Sequence, residues 1–347
     1  MQAWRTINWR SAAIALFVTL VLAILIYLGS AGLTYFDSAL IGYATASLFA
    51  VLGITYRFIN WLDHPPTRRY WLRGWQLFLS WRTFRRYMTL IPRAWVADLA
   101  LQDFIWPRGI DRWIMHFTIF WGVILSSLIT FPLVFGWLHF ELVGQHDYQL
   151  FITTVPVLIF PLGTVFAFSL FHALDFTAVL VIVGASIALW RRWRDRSVIA
   201  GQEFGFDFVP LLLLLAISLT GLLLTASQLW WEGKFYWFIA LSHQAVVVLA
   251  ILYIPFGKFW HVLERPASVG IKLYRTAAGA LGMARCARCG TEFEPALFVQ
   301  DLKQTLRSLD QNYTMTPDGT WLQDYCPECK RVLRGSTYNE HVQRGFM

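Results

Sequence analysis

Six stretches of this chain, residues 12–33, 36–61, 113–137, 164–190, 208–231 and 235–259, are each long and apolar enough to cross a bilayer. A hydrocarbon core of roughly 30 Å is crossed by about 20 apolar residues as an α-helix, and inside it every backbone polar group must be satisfied by the protein itself. The sequence therefore predicts an all-α integral membrane protein, with about six transmembrane helices in a bundle. Hydrophobic residues make up 57% of the 347 and charged residues 14%, with a mean hydropathy of +0.50, which excludes a soluble domain as the bulk of the chain.

The net charge of +8 could suggest nucleic acid, but the placement of the basic residues matters more than their sum. With the N-terminus inside, Arg5 and Arg10 precede the first span, nine arginines lie from Arg68 to Arg112, and Arg191, Arg192, Arg194 and Arg196 follow the fourth. The opposite loops hold Lys234 as their only Lys or Arg. This is the positive-inside asymmetry of a protein in the cell (plasma or inner) membrane, so the basic balance reports topology and no nucleic-acid partner is expected. Small residues Gly29, Ser30 and Ala31 imitate a signal-peptidase site. The next span follows almost at once, however, so an uncleaved anchor with both termini cytoplasmic is the expectation.

Four regions follow along the chain. Residues 1–62 hold two N-terminal spans, and residues 63–111 form a cytoplasmic segment too rich in arginine to cross. Its run from Tyr70 to Trp95 reads as a helix lying in the interface, aromatics at headgroup level and guanidiniums on phosphates. Residues 112–263 form a four-helix membrane domain, and residues 264–347 a polar cytoplasmic tail with all four cysteines. The apolar run 151–162, interrupted by Pro156 and Pro161, is too short to span and is expected to lie at the outer face.

The last span carries His243 and His261, eighteen residues apart. On one continuous helix this is about five turns, placing both imidazoles on one face roughly 27 Å apart. Ionisable rings inside a membrane are costly and tend to be functional, and imidazole is a standard axial ligand of haem iron. Depth then assigns partners. His116, near the start of the outward-running third span, lies level with His261, and His172, near the start of the inward-running fourth, lies level with His243. The expectation is two haems b, an inner one on His116 and His261 and an outer one on His172 and His243. Arg112 and Arg265, each one turn from an inner ligand, are candidates for the propionates, or simply members of the basic set. A lone membrane histidine can equally hydrogen-bond a neighbouring helix. His64, His139, His146 and His341 are expected to be solvated, although His139 or His146 could replace His172 if the fourth helix begins late.

The run Pro255-Phe-Gly-Lys-Phe-Trp-His261 resembles the final haem-binding helix of the respiratory nitrate reductase gamma subunit and related membrane cytochromes b of heterodisulfide reductase-like and hydrogenase complexes. That resemblance implies electron transfer between the membrane quinone pool and iron–sulfur and catalytic subunits on one side. The gamma subunit carries two ligands on one early helix, whereas the residue ten beyond His116 here is Ser126. His172 must then supply the outer ligand, or one haem is present. Asp175 and Glu232 are candidates for exchanging protons with a quinone. No catalytic centre for substrate chemistry is visible, so a subunit of a larger oxidoreductase is expected rather than an enzyme alone.

Cys286-Ala-Arg-Cys289-Gly and Cys326-Pro-Glu-Cys329 are two C-x-x-C knuckles, the pattern of a tetrahedral four-thiolate metal site. In a reducing cytoplasm disulfides are disfavoured. Zinc is favoured, since it would stabilise a small domain with few apolar residues, while a rubredoxin-type iron shares the same knuckles. Two other classes compete: a transporter or proton channel with histidines along its path, and a membrane-tethered zinc-ribbon interaction protein. The first is disfavoured by the shortage of embedded carboxylates, and the second leaves His243 and His261 without a task.

Overall fold

The computed structural model describes residues 7–195, 201–316 and 318–345. Arg5 and Arg196 of the basic set, and the side chain of His341, lie outside the described residues. Six helical segments are long and apolar enough to span a membrane: Trp9–Gly29, Ser38–Asp63, Ile110–Val134, Ala173–Arg194, Phe204–Trp230 and Tyr236–Tyr253. The chain is a multi-pass helical membrane protein. It divides into two units, one of residues up to Ile59 with Leu101–Val262, the other of Asn60–Ala100 with the residues from Leu263 onward.

In the first unit, α1 (Trp9–Gly29) starts at Asn8, whose side chain accepts from the Ser11 N–H at 3.2 Å. Its far end packs through Ile26 onto Ala44 of α2 (Ile41–Asp63) and onto Val134 and Phe135. Helices α5 (Ile110–Val134) and α7 (Ala173–Arg194) touch backbone to backbone because glycines face the contact. A Cβ on Gly184 would lie 2.5 Å from Thr118 Oγ1 and 2.7 Å from the Met115 carbonyl, and one on Gly122 only 2.6 Å from Val181. Helix α8 (Val209–Trp230) packs on α7, and α9 (Tyr236–Tyr253) on α8. Outward-facing Val179, Val183, Leu219, Leu223 and Leu249 stay exposed, as lipid-facing side chains do.

Three expectations are corrected. The run 151–162, expected as a single apolar segment, belongs to an antiparallel sheet of β1 (Leu138–Val143), β2 (Asp147–Ile152) and β3 (Val155–Pro161), in that order. The run that reads as a lone surface segment divides between β2 and β3, and Pro156 and Pro161 fall in β3, an edge strand that tolerates missing donors. The fourth apolar stretch is interrupted: α6 (Val165–Phe171), capped by Thr164, stops at His172, and the span proper begins at Ala173.

The last stretch is likewise broken. Helix α9 ends at Tyr253, Gly257 is extended (φ −97°, ψ −167°), and a 3-10 turn, Lys258–Trp260, leads into α10 (His261–Gly279). Pro255 brings no N–H, and a Cβ on Gly257 would collide with the Tyr253 ring. His243 and His261 therefore do not share one continuous helix face.

In the second unit, the basic segment is two helices, α3 (Pro65–Leu79) and α4 (Trp81–Ala94), separated by extended Ser80. Prolines at 65 and 66 suit the first turn of α3, where N–H groups have no helical acceptor. One face of this pair packs inward instead of lying wholly in an interface: Leu77 and Tyr87 join Tyr274, Ala277 and Ala278 of α10 in a common core. Helix α11 (Ala296–Ser308) closes it from the tail. Its Asp301, fully buried, accepts from Arg73 Nε at 3.1 Å, Arg73 Nη2 at 3.0 Å and the Tyr274 hydroxyl at 2.7 Å. The Asp301 hydrogen bond raises the Arg73 pKa, and burial, with Asp301 next to it, pushes the Tyr274 hydroxyl well above its ordinary value.

Candidate functional site

The turn after α9 is held from several directions. Arg57 on α2 donates through Nη1 to the Pro255 carbonyl at 2.7 Å and lays its guanidinium 4.8 Å from the centre of the Trp260 ring. Trp260 is buried. Tyr253 donates to the Gly205 carbonyl at 2.7 Å, and Lys258 pairs with Asp207. These contacts fix the start of α10 and with it His261, whose Nδ1 lies 2.5 Å from the Lys258 carbonyl. The His116 ring, in the second turn of α5, lies with its centroid 6.3 Å from that of His261, the planes at 67°. Its Nδ1 lies 2.7 Å from Gln102 Oε1. Gln102 is buried, has a positive φ of 56°, and leaves its amide nitrogen without a hydrogen-bond partner.

The other two membrane histidines are both tied to α8. His172, where α6 gives way to α7, lies with Nδ1 2.7 Å from Asp175, whose second oxygen accepts from the Thr225 hydroxyl at 2.8 Å. The His243 Nδ1 lies 2.9 Å from Thr220 Oγ1. Thr220 and Thr225 are five residues apart, about 7.5 Å of helix rise. The His172 ring lies against that of Phe168, with centroids 4.3 Å apart, rather than against His243. The structure thus brings His116 and His261 together, whereas His172 and His243 meet the same helix at different heights.

One chemical feature is common to all four rings. A backbone carbonyl, a carboxylate and an amide oxygen can only accept, so His261, His172 and His116 carry their proton on Nδ1. Thr220 gives its own proton to the Ala216 carbonyl at 2.6 Å and accepts from His243. Each imidazole is held by Nδ1, so Nε2 is the nitrogen through which it would bond a metal. The remaining candidates are placed more simply. Arg112, Arg265 and Glu232 are exposed, as are His64 and His146.

His139 departs from its expected solvated position. It lies in β1, stacked on Tyr35 at 3.9 Å and on Phe151 at 5.1 Å. Neither ring nitrogen has a hydrogen-bond partner, and the nearest carboxylate oxygen, of Glu141, is 3.7 Å away. The neighbours that orient the histidines, Arg57, Gln102, Thr220 and Thr225, carry no motif that singles them out in the sequence. The two threonines give the one usable signal, as polar residues inside an otherwise apolar span.

The cysteines form a second site. Hairpin β4 (Met283–Arg285) and β5 (Glu292–Pro295) carries the first knuckle, with Gly290 at a φ of 74°, and the second runs into α12 (Pro327–Gly345). The Ala287 N–H donates to the Asp324 carbonyl at 2.9 Å and locks the knuckles together. All four sulfurs lie within 4.8 Å of one another, with Cys289 and Cys326 3.8 Å apart. Sulfurs bonded at about 2.3 Å around one tetrahedral ion are about 3.8 Å apart. Burial opposes ionisation of Cys286, but N–H groups of Cys289, Cys326 and Arg288 outweigh it and hold the thiol at about 6. Burial and the adjacent sulfurs push Cys329 up to about 12. Such a cluster suits a metal such as zinc or iron, whose charge would let all four ionise.

No protein-family model, no curated protein and no solved structure matches this chain. The functional reading therefore rests on the residues themselves.

Proposed function

We propose that this protein is a b-type cytochrome, the quinone-reactive membrane subunit of a larger oxidoreductase. The observation that carries the reading is the His116–His261 pair. Iron bonded to two imidazoles at about 2 Å each holds their ring centroids roughly 6 Å apart, and these two are 6.3 Å apart with both Nδ1 atoms tied elsewhere. The residues fit the group: His116 and His261 would hold an inner haem b, and Arg112, one turn before His116, would be available to its propionates. His172 and His243 are held by Nδ1 in the same way but are not brought together, so a second haem on this pair rests on their depth in the sequence alone. Haem supplies one-electron chemistry, while the chain supplies ligation, fixed tautomers and a dry surrounding.

Electrons would pass between membrane quinol and an iron–sulfur partner on the cytoplasmic side, the side to which the arginine-rich loops assign both termini. Zinc in the four-cysteine cluster would hold the tail folded. A reduced-minus-oxidised visible spectrum of the full chain, made with ample haem, tests the reading. Bands of b-type haem that lose the inner haem's share in His116→Ala and in His261→Ala are expected, and their absence from the unaltered chain overturns the reading.

A further inference from the structure

Helices α3 and α4 contain seven arginines and no acidic residue. In α3, Arg73 is taken up by Asp301 and Arg69 by Gln304. In α4 the arginines are left over. Arg82, Arg85, Arg86 and Arg93 are all exposed, and none pairs with a carboxylate among the described residues.

At 100° per residue α4 has three strips. Thr83, Tyr87 and Ala94 are buried against the unit. Trp81, Met88 and Pro92 lie within about 40° of one another on the exposed side, with Trp81 81% and Met88 49% exposed. Arg82, Arg86 and Arg93 fall within about 40° on the adjoining strip, with Arg85 between the two.

An amphipathic helix at a bilayer surface needs an apolar strip for the acyl boundary and a cationic one for the phosphates. In the chain, α4 lies between a span that ends at Asp63 and one that begins at Ile110.

We propose that α4 is a binding surface for anionic phospholipid headgroups, with Arg82, Arg86 and Arg93 on phosphates and Trp81 and Met88 at the acyl boundary. The arginines that engage lipid are those of α4, since those of α3 named above face the tail. This inference is independent of the haem reading.

The full chain is placed in nanodiscs of phosphatidylcholine alone or with about 30% phosphatidylglycerol, and amide exchange is followed over residues 81–94. Exchange should be slower by about fivefold or more in the anionic discs. The difference should disappear at about 0.5 M salt, where charges are screened within a few ångströms. It should also disappear in R82Q/R85Q/R86Q/R93Q and persist in the matching lysine variant. The salt arm needs no variant and so does not depend on mutant folding. Equal exchange in both discs overturns the proposal, as does a difference that survives salt. Protection seen only in native membranes and in neither disc assigns the face to a protein partner and overturns it too.

Discussion

Thr220 accepts a hydrogen bond from His243, because its own hydroxyl proton is given to the Ala216 carbonyl one turn back. Thr220→Val preserves shape but removes the acceptor, so the imidazole loses both its orientation and its tautomer. Loss of such a supporting partner typically costs 10–100-fold in metal affinity. Titration of haem into the purified apoprotein should show the outer haem weakened to that extent and the inner one unchanged.

Gln102 does the same for His116 with a neutral amide oxygen. Gln102→Glu would put a carboxylate on Nδ1–H, making the imidazole a stronger donor that favours ferric iron. The inner haem's midpoint potential should fall relative to the unaltered protein. Gln102→Leu, with no acceptor, should instead lower inner-haem occupancy by about 10-fold or more. A spectroelectrochemical titration of both variants would expose an error here if neither moved.

The α5–α7 contact has no room for side chains at its glycines. Gly184→Leu must push against the Met115 carbonyl and Thr118, with overpacking of this kind costing about 1–3 kcal/mol. Because His116 and His172 belong to these two helices or their junction, the melting temperature in detergent and haem content should fall together. Gly74→Ala, whose added Cβ would meet nothing within 4 Å, should leave both unchanged.

Asp301→Asn leaves Arg73 without its counter-charge. Removing one partner of a buried pair costs about 3–5 kcal/mol, and since Arg73 is 32% exposed about 2 kcal/mol is expected. Limited proteolysis should open the links between α3, α4 and the tail, while the membrane spans stay protected.

Removing the metal from the four-cysteine cluster, by chelation or by Cys326→Ser, should loosen the β4–β5 hairpin and the start of α12. Amide exchange there should rise to that of an unfolded segment. Elemental analysis of the intact protein, showing one zinc or one iron per chain, settles which ion the sulfurs hold; neither would reject the site.

Periodicity and length make the six spans legible, because a bilayer imposes one rule on every residue of a segment. The same rule conceals the breaks. Residues 235–259 are apolar apart from Ser242, His243, Gln244 and Lys258, and only Pro255 and Gly257 mark where α9 stops, so two histidines that read as one helix face belong to different elements. The sheet escapes a sequence reading because its strands are short and its edge contains prolines. His116 and His261 can be matched by depth along the helices, whereas Gln102 cannot be matched to His116: fourteen residues and a positive-φ turn separate them, and no periodicity spans that gap. The cysteine knuckles are legible in full, since their spacing is itself the geometry.

The Arg73–Asp301 bond joins residues 228 positions apart, on either side of the four later spans. During synthesis α3 leaves the ribosome long before α11, so the arginine-rich helices wait without their carboxylate until the four intervening spans have been made. A chain that stalls or is truncated before residue 301 can insert its spans yet never complete this second unit. Closure of that unit thereby comes only after all four later spans have been made.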